Sequence, residues 1–415
     1  MVDEELPYPP TSGKRIRTLN LTLRLARRHH LTYVCHRNAD AQEARQAEAF
    51  FAQQGIRTLV VPHAVPKKSG ASFYLRLARN LLSPLPYSVA THQSRALREA
   101  LQTFAQNNPV DVWHCEWTPY ADALQGITGG ARVVMAHNVE SLIWQRYYET
   151  ETNPLRRWYI GRQWQKFQRF EKRVLQEVEQ TVAVSHPDAL HFQREFGVEC
   201  VSVVENGVDT QYFLPQARRR DPQRLLFLGS LDWRPNLDGV QLLLQRVFPA
   251  VQAAQPGCRL LLVGRNPPDS LRRQVAGMPA VELHANVPDV RPFLADCCML
   301  VVPLRIGGGS RLKILEALAS GTPVVSTRIG AEGLDLEAER EITVVEDIDQ
   351  MASALVDAMC HPERLQAQAE CGREKVLERY DWESLAQKLE RIWLACASTS
   401  QGRRMSTRTR GESSL

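Results

Sequence analysis

Residues 299–334 read MLVVPLRIGGGSRLKILEALASGTPVVSTRIGAEGL and contain one strand–loop–helix–strand unit. An apolar, β-branched run, Met299–Leu304, enters the loop Gly307-Gly308-Gly309. Ser310 is placed as a helix N-cap, and the helix runs through Ala319. Gly321 and Pro323 close it as a second strand, Thr322–Thr327, begins. A strand that returns through a helix belongs to a doubly wound α/β sheet. Three glycines let the backbone approach a ligand closely, and the first free N–H groups of a helix favour an anion. Arg311 and Lys313 stand in the first turn, where the helix dipole prefers acids. An anion lodged between them and the glycines makes sense of that placement. Glu316 follows one turn on. The same residues also fit a plain strand-to-helix turn with solvated cations and a Lys313–Glu316 pair.

The alternation of short apolar runs with longer helical patterns extends along the whole chain. The first half has strand patterns at Leu31–Cys35, Thr58–Pro62, Val110–Cys115, Arg132–Ala136, Thr181–Ser185 and Val201–Glu205. The second half repeats the scheme at Arg224–Leu231, Arg259–Gly264, Val281–Ala285, Met299–Leu304, Thr322–Thr327 and Ile342–Glu346. Two doubly wound Rossmann-like domains are predicted, residues 1–208 and 223–378. The linker is 209–222, where Pro215, Arg218 to Arg220 and Pro222 interrupt both periods. Two such domains facing across a cleft would bind ligands at the carboxyl ends of their strands. A helix over 379–397 is expected to return to the first domain, and the polar stretch 398–415 is expected to be disordered. A helix from about Lys14 wants a preceding strand, but Met1 to Leu6 are mostly acidic. The first strand of the N-terminal domain therefore reads as missing, through a truncated start or a strand this chain lacks.

The 415 residues are 44% apolar and 23% charged, which excludes wholesale disorder. No run of about 18 apolar residues offers a membrane span. Nine cysteines without a C-x-x-C pair, several inside apolar runs, and the absence of an apolar signal core point to a reduced, cytoplasmic chain. The net charge of +5 is uneven: residues 1–200 hold 25 basic and 19 acidic side chains, and the remainder 26 and 27. Residues 155–173, LRRWYIGRQWQKFQRFEKR, carry seven of those basic residues and one acid. Trp164, Phe167 and Phe170 share one helical side. The plain reading is an amphipathic surface helix. The functional reading is an acceptor-side surface, with Arg156, Arg157 and Arg162 meeting an anionic membrane at its cytoplasmic face or a lipid-linked diphosphate. No nucleic-acid module pattern is present.

The glycine loop with R-x-K-x-x-E, the two-domain alternation and Glu205-Asn206-Gly207-Val208-Asp209 resemble family 4 glycosyltransferases of the GT-B fold. More narrowly, the chain is similar to bacterial sugar transferases of exopolysaccharide systems. Supporting runs are LPYPPTSGKRIR (6–17), AHNVESLIWQRYYETETNP (136–154), FEKRV (170–174), AVSHPDAL (183–190) and YDWESL (380–385). The resemblance implies transfer of a sugar from a nucleotide-sugar to a glycan or lipid-linked glycan, with retention and without a bound metal or other cofactor. Residue by residue, it implies that Glu316 holds the ribose of the donor. The carboxylate that precedes it by eight positions in the family falls on Gly308 and is absent, which leaves the backbone of Gly308, Gly309, Ser310, Arg311 and Leu312 to meet the sugar or diphosphate. Arg234, in GSLDWRPN, matches the basic position that neutralises the diphosphate, with Arg311 and Lys313 beside it; Gly13 would touch the diphosphate through its backbone, and His137 would face the donor sugar.

Weaker readings stand beside these. His137 can be a satisfied structural histidine, and Arg234 can pair with Asp232 or Asp238 on the surface. Glu116, in WHCEWTPY, can orient an acceptor hydroxyl or pair with an arginine. Asp347-Ile348-Asp349 has a metal-binding spacing but opens a helix, so N-capping is the better account. Ser185, His186 and Asp188 lack a nucleophile-elbow pattern. The rival functions are a nucleotide-sugar epimerase on the same fold and a catalytically silent nucleotide-sugar-binding protein; the absent strand and the absent carboxylate favour the latter.

Overall fold

The computed structural model describes residues 1–62, 70–216, 220–306 and 311–412, with side chains to residue 399. Among the described residues, thirteen strands form two parallel sheets. The first contains β1 (Val2–Asp3), β2 (Thr32–His36), β3 (Arg57–Val61), β4 (Val112–Cys115), β5 (Ala131–Ala136), β6 (Gln180–Ala183) and β7 (Val201–Val203), in the order β3-β2-β1-β4-β5-β6-β7. The second contains β8 (Asp221–Leu228), β9 (Arg259–Gly264), β10 (Val281–Ala285), β11 (Cys297–Val302), β12 (Val324–Thr327) and β13 (Thr343–Val345), in the order β10-β9-β8-β11-β12-β13. All twelve strand patterns read from the sequence are present. Leu225, Leu226, Phe227, Leu300 and Val301 are sealed from solvent, as expected of strands covered by helices on both faces.

The expectation of a missing first strand is corrected. β1 lies at the centre of its sheet, with Val2 opposite Val34 on one side and Cys115 on the other. The acidic sequence hid it because Asp3 is buried yet fully engaged. Its Oδ2 accepts from Tyr33 Oη at 2.6 Å, and its Oδ1 accepts from Lys14 Nζ at 2.6 Å. A buried carboxylate is tolerable only with such partners.

The chain divides into two units, Met1–Glu205 with Glu383–Leu415, and Asn206–Trp382. The stretch 209–222 falls within the second unit, and its last residues, Asp221 and Pro222, open β8. Arg220 is turned inward. Its guanidinium donates to the carbonyls of Leu294 (2.6 Å), Cys297 (3.2 Å), Ser320 (3.2 Å) and Gly321 (2.9 Å) and to Thr322 Oγ1 (3.1 Å). It thereby caps the carboxyl end of helix Leu312–Ala319 with a cation.

The last helix, Trp382–Glu412, buries Leu385, Ala386, Leu389 and Trp393 along one side and ties to the first unit through Lys388–Glu205 (2.8 Å) and Arg28–Glu390 (2.9 Å). It continues through the polar stretch after residue 397, where disorder was expected. Once a packed helix exists, elongation avoids the cost of nucleation, and arginine, methionine and glutamine extend it readily.

Candidate functional site

In the second unit the candidate residues gather where β8 and β11 end. β8 leads through Gly229-Ser230 to helix Arg234–Leu242, and β11 leads towards helix Leu312–Ala319. Lys313 Nζ donates to Asn236 Oδ1 at 3.0 Å, and Asn236 Nδ2 donates in turn to the Ser230 carbonyl at 2.9 Å. The ammonium also lies 4.8 Å from the centre of the Phe227 ring. A side chain at position 229 would put its Cβ 3.0 Å from Lys313 Nζ, so glycine is what lets the backbone lie beside the cation. Burial, with Arg311 adding repulsion, lowers the Lys313 pKa to about 7. Glu316 is partly exposed, and burial raises its pKa to about 7 against the attraction of Lys313.

The remaining donor-side residues take different places. Arg234 is exposed at the first position of its helix. Of the surface acids considered for it, Asp238 pairs with Arg305 at 2.8 Å and Asp232 accepts from Asn266 Nδ2 at 3.0 Å. Arg311 is only 3% exposed and donates to the Ile329 carbonyl at 2.7 Å, fastening the start of the helix rather than reaching into solvent. Leu312 is buried as the first helical residue. Gly308, Gly309 and Ser310 lie outside the described residues. Sequence reasoning passed over Asn236, Ser230 and Arg265, whose Nη2 donates to Ser230 Oγ at 2.9 Å at the end of β9. GSLDWRPN contained the first two, but only the fold brings them to Lys313.

In the first unit, β1, β4 and β5 end beside helix Gly13–Ala26. Gly13 is the first residue of that helix, behind Ser12, whose hydroxyl accepts from Arg15 N at 3.3 Å. Glu116 is sealed beneath the surface. Its Oε1 lies 3.2 Å from His114 Nε2, while its Oε2 accepts from Thr18 Oγ1 at 3.0 Å and stands 3.2 Å from His137 Nε2. Behind this group, Trp393 Nε1 donates to His114 Nδ1 at 2.9 Å. Burial alone would push the Glu116 carboxyl up, but His114 and His137 hold it well below the usual range. His137 shifts downward, since burial outweighs the pull of Glu116. Glu116 is thus corrected from an acceptor-side group to a buried partner of two histidines. Nearer the surface, Lys14 Nζ lies 3.5 Å from Glu4 Oε2 and 5.5 Å from the centre of the Trp117 ring, and Trp117 Nε1 donates to Glu140 Oε1 at 3.0 Å.

The basic segment is helix Pro154–Gln176, capped by Asn153. Phe167 and Phe170 enter the core, and Trp164 packs against Tyr148 with ring centres 5.7 Å apart. Arg156, Arg157 and Arg162 are exposed, as the amphipathic-helix reading requires. Lys166 is spent inside on the Asn80 carbonyl, and Arg173 pairs with Asp122 at 2.9 Å. Both declined motifs are helix caps: Asp347 Oδ1 accepts from Asp349 N at 3.2 Å, and Ser185 Oγ accepts from Asp188 N at 3.2 Å.

Residues 12–212 match the family described as Glycosyltransferase Family 4, and residues 222–361 match Glycosyl transferases group 1. The chain belongs to the family 4 glycosyltransferases of the GT-B fold. Among relatives of this family, the MMP alpha-(1->4)-mannosyltransferase of Mycolicibacterium hassiacum is 30% identical over 245 residues, which cover 55% of this chain and 58% of that protein. The chain therefore spans less than two thirds of that relative's length. By fold, it resembles a sucrose-phosphate synthase from Thermosynechococcus elongatus (TM-score 0.71, 16% identity, 96% of this chain and 99% of the other). It also resembles the Anabaena protein HepE, solved with UDP and glucose (TM-score 0.66, 13% identity, 94% of this chain and 98% of the other). In the family's terms, Lys313 and Glu316 share one helix of the second unit, and His137 stands at a strand end of the first.

Proposed function

We propose that this family 4 member moves a sugar from a nucleotide-sugar donor to a glycan or lipid-linked glycan, with retention and without a metal, in the synthesis of exopolysaccharide or another cell-surface polysaccharide. One observation carries the reading. Lys313 is held among Asn236, the Gly229 backbone and Phe227, with burial and Arg311 depressing its pKa to about 7. A cation kept half-discharged gains most from an arriving anion, and a diphosphate supplies one. Glu316, one turn along, would accept the ribose hydroxyls. In transfer, the bond from the anomeric carbon to the β-phosphate oxygen breaks, a bond to an acceptor oxygen forms, and the acceptor's proton leaves with the nucleoside diphosphate. Lys313 and Arg234 would stabilise the charge that develops on the leaving group. His137 would touch the donor sugar.

The name of the mannosyltransferase relative supports transfer of a sugar, and the UDP and glucose in the HepE structure support a nucleotide-sugar donor. One of the two grounds for a silent binding protein falls with the presence of β1. We place the acceptor at an anionic membrane surface, reached through Arg156, Arg157 and Arg162. Among the described residues, no helix is long and apolar enough to cross a membrane.

The test is a thermal-shift panel of UDP-, GDP- and ADP-sugars followed by a transfer assay with lipid-linked acceptors. Stabilisation by one donor class, with transfer dependent on acceptor, is expected. Conversion of the donor without acceptor would mark an epimerase, and binding without turnover a silent protein.

A further inference from the structure

Five buried polar side chains of the first unit lie together: Trp393 bonds to His114, His114 and Thr18 bond to Glu116, and His137 Nε2 stands 3.2 Å from Glu116 Oε2. With Glu116 ionised and both histidines neutral, the donors and acceptors among them can be assigned in only one way. An indole N–H only donates, so His114 Nδ1 must carry a lone pair, and the neutral His114 ring bears its proton on Nε2. That Nε2–H meets Glu116 Oε1 at 3.2 Å. Thr18 donates to Oε2, and the same oxygen faces His137 Nε2 at 3.2 Å. An ionised carboxylate only accepts, so His137 must also present Nε2–H to it. This contact has hydrogen-bond length but lies off the ideal line, as pairs in unliganded sites often do.

We propose that Glu116 is a positioning residue that fixes His137 as its Nε2–H tautomer and leaves Nδ1 as a hydrogen-bond acceptor, and that Trp393 on the terminal helix sets the direction of the whole relay through His114. A histidine's free nitrogen is set by the bond its other nitrogen makes. A ring that would touch a sugar hydroxyl must offer one defined nitrogen; here it is the acceptor, matched to a hydroxyl that donates. The catalytic weight of this assignment rests on the proposed role of His137, but the tautomers themselves do not. Thr18 and Trp393 come from the first and last helices of the unit, so the relay also makes the terminal helix part of the site's framework.

The experiment is long-range 1H–15N correlation on full-length, 15N-histidine-labelled protein near pH 7.5, with His114→Asn and His137→Gln used for assignment. In the wild type both rings are expected as Nε2–H tautomers. In Glu116→Gln, Trp393 still holds His114 as Nε2–H, so the new amide oxygen is taken by His114 and the amide NH2 is turned to His137. His137 then switches to Nδ1–H while His114 stays. In Glu116→Gln with Trp393→Phe, nothing sets the direction and both rings become mixtures. UDP or GDP affinity of the soluble variants is expected to stay within about twofold, and transfer, once the donor is known, to fall at least ~10-fold. A wild-type His137 in the Nδ1–H form, or an unchanged His137 in Glu116→Gln, overturns the proposal. Should Glu116→Gln fail to fold, the wild-type tautomers decide it alone. Absence of transferase activity would refute the proposed function and leave the tautomer result standing on its own.

Discussion

Lys313 Nζ sits 3.0 Å from the Asn236 side-chain oxygen, so this lysine is held by a neutral amide rather than by the glutamate one turn along its own helix. A neutral partner satisfies the ammonium geometrically without cancelling its charge. The site without ligand is therefore under electrostatic tension, and the tension has a direction that can be measured.

The first prediction concerns stability. The folded-state pKa of Lys313 is about 7, below its ordinary value of 10.5, so the folded protein holds fewer protons than the unfolded chain between those values. Stability must then rise with pH across that window, and Lys313 costs most at and below pH 7. Lys313→Met is expected to stabilise the ligand-free protein by about 1 kcal/mol near pH 7, with the gain fading towards pH 10. The same variant should lose the thermal shift given by UDP or GDP. Urea titrations at pH 7 and pH 9.5 check the first part; a variant less stable than wild type at pH 7 would refute the tension.

Proton counting gives the second. A bound diphosphate charges Lys313 fully, and ribose hydroxyls require Glu316 ionised. With both titrating near pH 7, one group takes up about half a proton while the other releases about half. Calorimetry of nucleotide binding at pH 7 in buffers of different ionisation enthalpy should show little net exchange for the wild type. Glu316→Gln removes the release and should expose uptake of about half a proton, the amount a group gains when charged fully at its own pKa. Glu316→Ala should weaken binding strongly. Unchanged affinity would remove the ribose assignment.

The strands were legible because β-branched apolar runs are intrinsic to strands buried on both faces, and only β1 escaped. There a buried carboxylate, Asp3, depends on Tyr33 and Lys14, and neither dependence shows in a local pattern. The site divides in the same way. Lys313 and Glu316 stand out in one turn of helix beside three glycines. Asn236 and Ser230 are remote in sequence from Lys313, and His114 and Trp393 are 279 residues apart. Such pairs are products of folding, and a single sequence carries no spacing that announces them. Glu116 shows the converse hazard: a strand-end acid looks available to a ligand until the fold surrounds it with histidines.

A third prediction tests the arginine that sequence reading assigned to a linker. Arg220 satisfies four carbonyls and Thr322 at the far end of the helix that carries Lys313 and Glu316. Arg220→Ala leaves those acceptors short of a charged donor and should cost about 2–3 kcal/mol in urea unfolding. Arg220→Lys, with one compact ammonium in place of a fork, should recover only part of it. A loss below 0.5 kcal/mol, a threshold about the scatter of ordinary surface substitutions, would show that the clamp is dispensable.

The last prediction concerns the basic helix. Leu155 is 73% exposed and Trp158 52% exposed at its start, beside Arg156, Arg157 and Arg162. Helix Ala71–Leu81 packs against its middle through Asn80 and Gln163 and adds Tyr74, Leu75 and the following Leu82, which is 93% exposed. Apolar side chains flanked by exposed arginines suit an anionic interface, where each basic residue contributes about 1 kcal/mol. Replacing Arg156, Arg157 and Arg162 together by alanine should weaken co-sedimentation with phosphatidylglycerol-containing vesicles by roughly 100-fold, the equivalent of about 3 kcal/mol. Trp158→Ala should weaken it further at high salt, where screening removes the ionic part and leaves the apolar one. Neutral phosphatidylcholine vesicles should bind neither protein well. Equal binding of wild type and triple variant to the anionic vesicles would confine these arginines to the solvated face of an ordinary surface helix.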